Sequence, residues 1–138
     1  MKILAALDIT EESGRVLDKA ANLARQQGAE LILYNLSEDF KVYGETLDSA
    51  GLSGKLMDAA RTRLDEAGAQ ARVMGVKTSA VVETGSSPAE GIVEYAAANG
   101  IDLIVIGHRS KSGIERFLVG SVASKVVSHA PCSVYVVR

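Results

Sequence analysis

Residues 102–121 read Asp-Leu-Ile-Val-Ile-Gly-His-Arg-Ser-Lys-Ser-Gly-Ile-Glu-Arg-Phe-Leu-Val-Gly-Ser. Leu103 to Ile106 form an unbroken apolar run, the pattern of a strand buried on both faces of a parallel sheet. A Gly/Ser-rich stretch follows, and the run from Leu118 to Ala130 contains a helix that Pro131 ends. Small residues at 107, 110, 113, 120 and 121 let backbone N–H groups come close to an anion. The helix start near Gly120 or Ser121 adds a partial positive charge. Arg109 and Lys111 add full charges, and Ser121 adds a hydroxyl donor. These are the parts of a phosphate site. The same residues also suit a plain Gly/Ser connector between two elements. The stretch is not a Walker A loop, and Asp8-Ile9-Thr10 stands where a Gly-x-Gly-x-x-Gly turn would follow the first strand.

Outward from this stretch the same alternation recurs. Lys2 to Leu7 reads as a first strand. Thr10 to Gln27 reads as a helix, with Thr10 as cap, Glu11 and Glu12 at its positive end, and Gly28 as stop. Its apolar stripe is Val16, Leu17, Ala20, Ala21 and Ala24. Glu30 to Leu36 is the second strand. Residues 37–54 read as a loop with room for a short helix. Lys55 to Met74 is helical, with Leu56, Ala60, Leu64, Ala67 and Ala71 on one side and Gly68 as a weak point. Val76 to Glu83 is the third strand. Ser87-Pro88-Ala89-Glu90 then carries a helix cap, a first-turn proline and a capping-box glutamate, opening a helix that ends at Gly100. Ser133 to Val137 is the fifth strand. Such alternation implies a parallel sheet covered by helices on both faces. In open sheets of this kind ligands bind beyond the carboxyl ends of the strands, where strand order reverses. That rule selects Asp8, residues 35–39, residues 84–87 and Gly107 onward.

Composition narrows the function. The 138 residues, 47% apolar and 23% charged, fit one globular domain spanning the whole chain. The net charge is −2, with no basic block, no Trp and 4% aromatics, so a nucleic-acid or membrane surface is not expected. The apolar run before Asp8 is too short for a signal peptide, and no later run approaches a membrane span. A cytoplasmic protein is expected. The single cysteine, Cys132, excludes an intrachain disulfide and reads as an inert core thiol. His108 reads as an exposed loop histidine, with contact to a phosphate or polar ligand as the alternative; His129 reads as structural near a helix C-terminus, and Tyr34 and Phe117 as packing residues. No nucleophile–base–orienter set is visible.

Four marks resemble the universal stress protein family: the apolar first strand ending in Asp8; Gly85-Ser86-Ser87-Pro88; Asp-Leu-Ile-Val-Ile-Gly at 102–107; and Gly120-Ser121-Val122 leading to His129-Ala130-Pro131-Cys132-Ser133-Val134. The resemblance spans essentially all 138 residues. It implies an open five-stranded parallel sheet in order 3-2-1-4-5, the adenine nucleotide α-hydrolase-like arrangement, with the reversal between strands one and four. The family's ATP-binding members carry Gly-x-x-Gly, nine residues, then Gly-Ser or Gly-Thr. This chain has Gly107, Gly120 and Ser121 at that spacing, and Ser110 where the second glycine is expected. The resemblance implies ATP, with or without Mg²⁺, or AMP or ADP as ligand. It places Asp8 near the adenosine, with Leu7, Asn35 and Ile106 around the base. Asn35 departs from the apolar residue common there. Gly107, Arg109, Ser110, Gly120, Ser121 and Val122 would surround the phosphates. Asp8 also has a local reading, as a turn or cap residue.

By the same resemblance the chain would act in stress response or signalling, as a homodimer through its C-terminal strand. Any ATPase activity would be weak. The alternative is a nucleotide-independent homodimeric interaction protein, a class the family also contains. Enzymes of related adenine-nucleotide or flavoprotein folds carry extra domains for which 138 residues leave no room.

Overall fold

The computed structural model describes residues 1–8, 13–38, 51–108 and 120–138. The Thr10, Glu11 and Glu12 cap, the short helix allowed within 37–54, and Arg109 to Val119 lie wholly or mostly outside the described residues.

The elements alternate along the chain: β1 (Lys2–Ala6), α1 (Ser13–Gln27), β2 (Glu30–Glu38), α2 (Leu52–Val73), β3 (Thr78–Gly85), α3 (Pro88–Ala98), β4 (Leu103–Gly107), α4 (Ser121–His129) and β5 (Ser133–Val137). The five strands form one sheet in order β3-β2-β1-β4-β5. The described strand pairs are all parallel. This is the α/β arrangement expected from the sequence.

Strand alternation assigns each side chain to a face. Ile3, Ala5, Leu31, Leu33 and Val105 point to one face and pack with Val16, Leu17, Ala20, Ala21 and Ala24 of α1 and with Leu64 and Ala71 of α2. Leu4, Ile32, Tyr34, Ile104 and Ile106 point to the other and meet Ala89, Ile92 and Ala96 of α3 and Ala123 and Val126 of α4. The central strands β1 and β4 therefore bury both faces, which is why they read as unbroken apolar runs. Burying each Leu or Ile contributes about 1.5–3 kcal/mol.

Turn chemistry closes the helices. Gly28, Gly75 and Gly100 sit at φ of 62°, 83° and 64° after α1, α2 and α3, a left-handed backbone that glycine adopts without a Cβ penalty. Ser87 accepts a hydrogen bond from the Glu90 N–H at 3.3 Å, and Pro88 takes the first helical position. The reversal of strand order falls between β1 and β4, and their carboxyl ends carry Leu7-Asp8 and Gly107-His108.

Candidate functional site

Pairing between β1 and β2 runs from Lys2–Glu30 to Ala6–Tyr34. One more backbone bond follows, from Leu7 N–H to the Tyr34 carbonyl at 2.9 Å. The Leu7 carbonyl is then taken by a side chain: Asn35 Nδ2 donates to it at 2.7 Å. β2 continues alongside β3 as far as Glu38–Gly85. The two strands thus part at Leu7, and a cleft of about 180 Å³ lies there, between α1 and α2. Its floor is apolar: Leu7, Leu17, Leu64 and Ala67. Its polar lining is Asp8, Ser13, Asn35, Arg63, Glu66 and Gln70. Asn35 is buried, Asp8 and Ser13 are half-buried, and the three α2 residues are exposed. Ligand pockets for drug-sized molecules hold about 300–1,000 Å³, so this cleft suits a base-sized group with the rest of a ligand outside it.

At the carboxyl end of β4 stands the start of α4, which does not line the cleft. Gly120 stands at the cap position and, as a glycine, supplies no side-chain hydrogen bond to the first turn. The His108 N–H donates to the Val137 carbonyl at 2.6 Å, and the Gly120 N–H donates to the His108 carbonyl at 3.1 Å. These bonds fix the helix start against the end of β4, at the same sheet edge as the cleft.

The sequence-selected residues divide accordingly. Leu7, Asp8 and Asn35 line one cleft. Gly120, Ser121 and Val122 stand together at the α4 start. Ile106 is 5% exposed and packs in the α3/α4 core, away from the cleft lining. Gly107 has a packing reason of its own: a Cβ there would lie 3.3 Å from Val16 Cγ2, so its smallness lets α1 close over β4. Arg109 and Ser110 lie outside the described residues. The α2 residues Arg63, Glu66 and Gln70 were not selected from the sequence. Their signal was present: they flank the apolar stripe Ala60, Leu64, Ala67 and Ala71 at helical spacing.

Two expectations are corrected, for His108 and Cys132. His108 is not exposed but 7% accessible, and its Nε2 has no hydrogen-bond partner among the described residues. The reason is the extra ladder bond to Val137, which extends β4 by one residue and turns the side chain inward. His129 keeps its structural role: Nδ1 lies 2.9 Å from the Lys125 carbonyl, which can only accept, so that nitrogen carries the proton. Cys132 is half-buried rather than core. Burial pushes its thiol up, and Asp102 adds to the effect against a lowering backbone hydrogen bond at Ile104. Tyr34 packs in the α3-side core and donates from its hydroxyl to Glu83 at 2.6 Å. Burial first, then Glu83, drives its ionisation well above the ordinary tyrosine range.

Among the described residues no group of three His, Cys, Asp or Glu side chains could hold a metal ion, and no helix is long and apolar enough to cross a membrane.

A parallel sheet in this order, with a cleft and a helix start at its carboxyl edge, defines the adenine nucleotide α-hydrolase-like class of α/β fold. Comparison with known proteins makes the assignment finer. The family model described as the universal stress protein family matches residues 1–138. Universal stress protein YxiE of Bacillus subtilis is 31% identical, covering 99% of this chain and 98% of its own length. The solved universal stress protein UspA from Lactobacillus plantarum matches with a TM-score of 0.89 at 27% identity, over 100% of this chain and 97% of that one. The universal stress protein from Archaeoglobus fulgidus in complex with dAMP matches with a TM-score of 0.70 at 26% identity, over 100% and 98%. The chain belongs to the universal stress protein family.

Proposed function

We propose that this chain binds an adenine nucleotide, ATP foremost, at the carboxyl edge of its sheet and acts by binding rather than by catalysis. The observation that carries the reading is the pairing of two features at that edge. The first is an apolar-floored cleft with Asp8 and Asn35. The second is the start of α4, whose cap residue Gly120 carries no side chain. The adenosine occupies the cleft, where Leu7 and Leu17 offer a flat apolar contact and Asp8 an acceptor for ribose hydroxyls. The phosphates lie towards Gly107, Gly120, Ser121 and Val122, whose N–H groups and helix dipole favour anions. By the family resemblance Arg109 and Ser110, outside the described residues, would join the phosphate contacts. ADP and AMP use the same cleft, and Mg²⁺ enters with the phosphates. The A. fulgidus relative solved with dAMP supports the choice of base. Hydrolysis, if it occurs, is slow. The protein works in the cytoplasm, in stress response or signalling, as a homodimer through β5.

A second reading, a nucleotide-independent interaction protein, draws on two observations. Position 110 carries a serine Cβ where the binding members have glycine. Gly107 is already explained by its contact with Val16. The test is direct. Purified protein is denatured and its supernatant chromatographed, and Gly120→Val is compared with wild type. The nucleotide reading predicts adenine nucleotide in the wild-type supernatant and its loss in the variant. A bare wild-type protein that takes up no nucleotide at millimolar concentration supports the second reading.

A further inference from the structure

We infer that Asn35 determines which base the cleft accepts, presenting Oδ1 to the exocyclic amine of a 6-aminopurine and disfavouring a 6-oxopurine. The inference rests on the nucleotide reading above and sharpens it. Two polar side chains are buried among the described residues, Asn35 at 8% exposure and His108 at 7%. His108 follows Ile106 on the strand face away from α1, so Asn35 is the buried polar group of the cleft.

Its orientation is set by chemistry. The Leu7 carbonyl can only accept, so the nitrogen of the Asn35 amide must face it, as the 2.7 Å bond records. Turning the amide over would oppose two carbonyl oxygens. Amide planarity then directs Oδ1 away from Leu7 O, leaving an acceptor and one further N–H on Asn35. Asn35 lines the cleft and its Oδ1 is not among the enclosed atoms left without a partner, so this acceptor is one a ligand donor can reach. The surrounding floor of Leu7, Leu17, Leu64 and Ala67 suits a flat heteroaromatic ring and offers no hydrogen bond from its side chains. An asparagine amide matches the edge of adenine, accepting from N6 and donating to a ring nitrogen. Inosine differs from adenosine by a carbonyl in place of that amine, which would set oxygen against Oδ1.

The experiment titrates nucleotide-stripped protein with ATP and with ITP, in wild type, Asn35→Leu and Asn35→Ser. Wild type is expected to prefer ATP by roughly tenfold, the scale of one hydrogen bond made or lost. Both variants should bring the ratio close to one, by weakening ATP and by relieving the opposition of oxygens that holds ITP back. A purely structural role, tethering β1 to β2, would instead weaken both nucleotides alike, and that result overturns the inference. So does a wild type that binds ATP and ITP equally, whether or not the variants fold; in that case the nucleotide reading stands. A wild type that binds neither overturns both.

Discussion

At Gly91 a missing methyl group sets how closely α3 approaches the sheet. A Cβ there would collide with Leu36 Cδ1 and come within 2.6 Å of the Tyr34 hydroxyl oxygen. The Leu36 end can swing aside. Tyr34 cannot, because it is 1% exposed and held by Glu83. Two effects therefore compete in Gly91→Ala. Helix propensity favours alanine by about 1 kcal/mol, and overpacking costs about 1–3 kcal/mol. The substitution should destabilise the protein by about 1 kcal/mol in urea unfolding. In a Tyr34→Phe background, which removes the obstructing oxygen, it should become neutral or stabilising. A stabilising Gly91→Ala in the wild-type background would contradict this packing. The packing role of Tyr34 was legible from its place in an apolar run. Its bond to Glu83 was not, because it depends on parallel register: Tyr34 pairs with Val81, and Glu83 is the next residue on that face. His108 was misread for a similar reason. Its polarity suggested a loop, while a long-range bond to Val137 made it the last rung of the sheet.

Among the elements, α3 was the most legible, since its start is written in adjacent residues. Ser87 caps it, Pro88 opens it and Gly100 ends it. The cap bond is 3.3 Å long and exposed, which places Ser87→Ala at the low end of the ~0.5–2 kcal/mol range for lost caps. Urea unfolding should show about 0.5–1 kcal/mol, and nucleotide affinity should stay unchanged because Ser87 does not line the cleft. A large loss of affinity at unchanged stability would place the site elsewhere. The start of β3 was less legible. The apolar Val76 suggested a strand there, but its N–H is spent on the Ala71 carbonyl, closing α2 through the turn at Gly75. The strand starts two residues later, at Thr78. β2 ran longer than expected for the converse reason. Ser37 and Glu38 look like loop residues, yet β3 pairs with both of them. α2 contributed the unforeseen cleft residues, because its polar flank became part of a site only once it packed beside α1.

For the whole molecule, alternation of apolar runs with amphipathic helices indicated a parallel sheet between helix layers, while the strand order and its reversal between β1 and β4 came from the family resemblance. The exposed edges have their own consequence. Among the described residues β5 ends the sheet, pairing with β4 alone, and Tyr135 on it is 39% exposed. An apolar edge of this kind invites pairing with another chain. A two-fold dimer with Val134, Tyr135 and Val136 near the contact is expected, giving a dimer mass in sedimentation at micromolar concentration. A monomer alone under those conditions would contradict it. The central claim remains that the carboxyl edge holds a nucleotide. Calorimetric titration of nucleotide-stripped wild type and Ser110→Gly with Mg-ATP tests it most directly. The account predicts saturable one-site binding in wild type, tightened when the Ser110 side chain is removed. Heat of dilution alone from both proteins at millimolar ATP would contradict it.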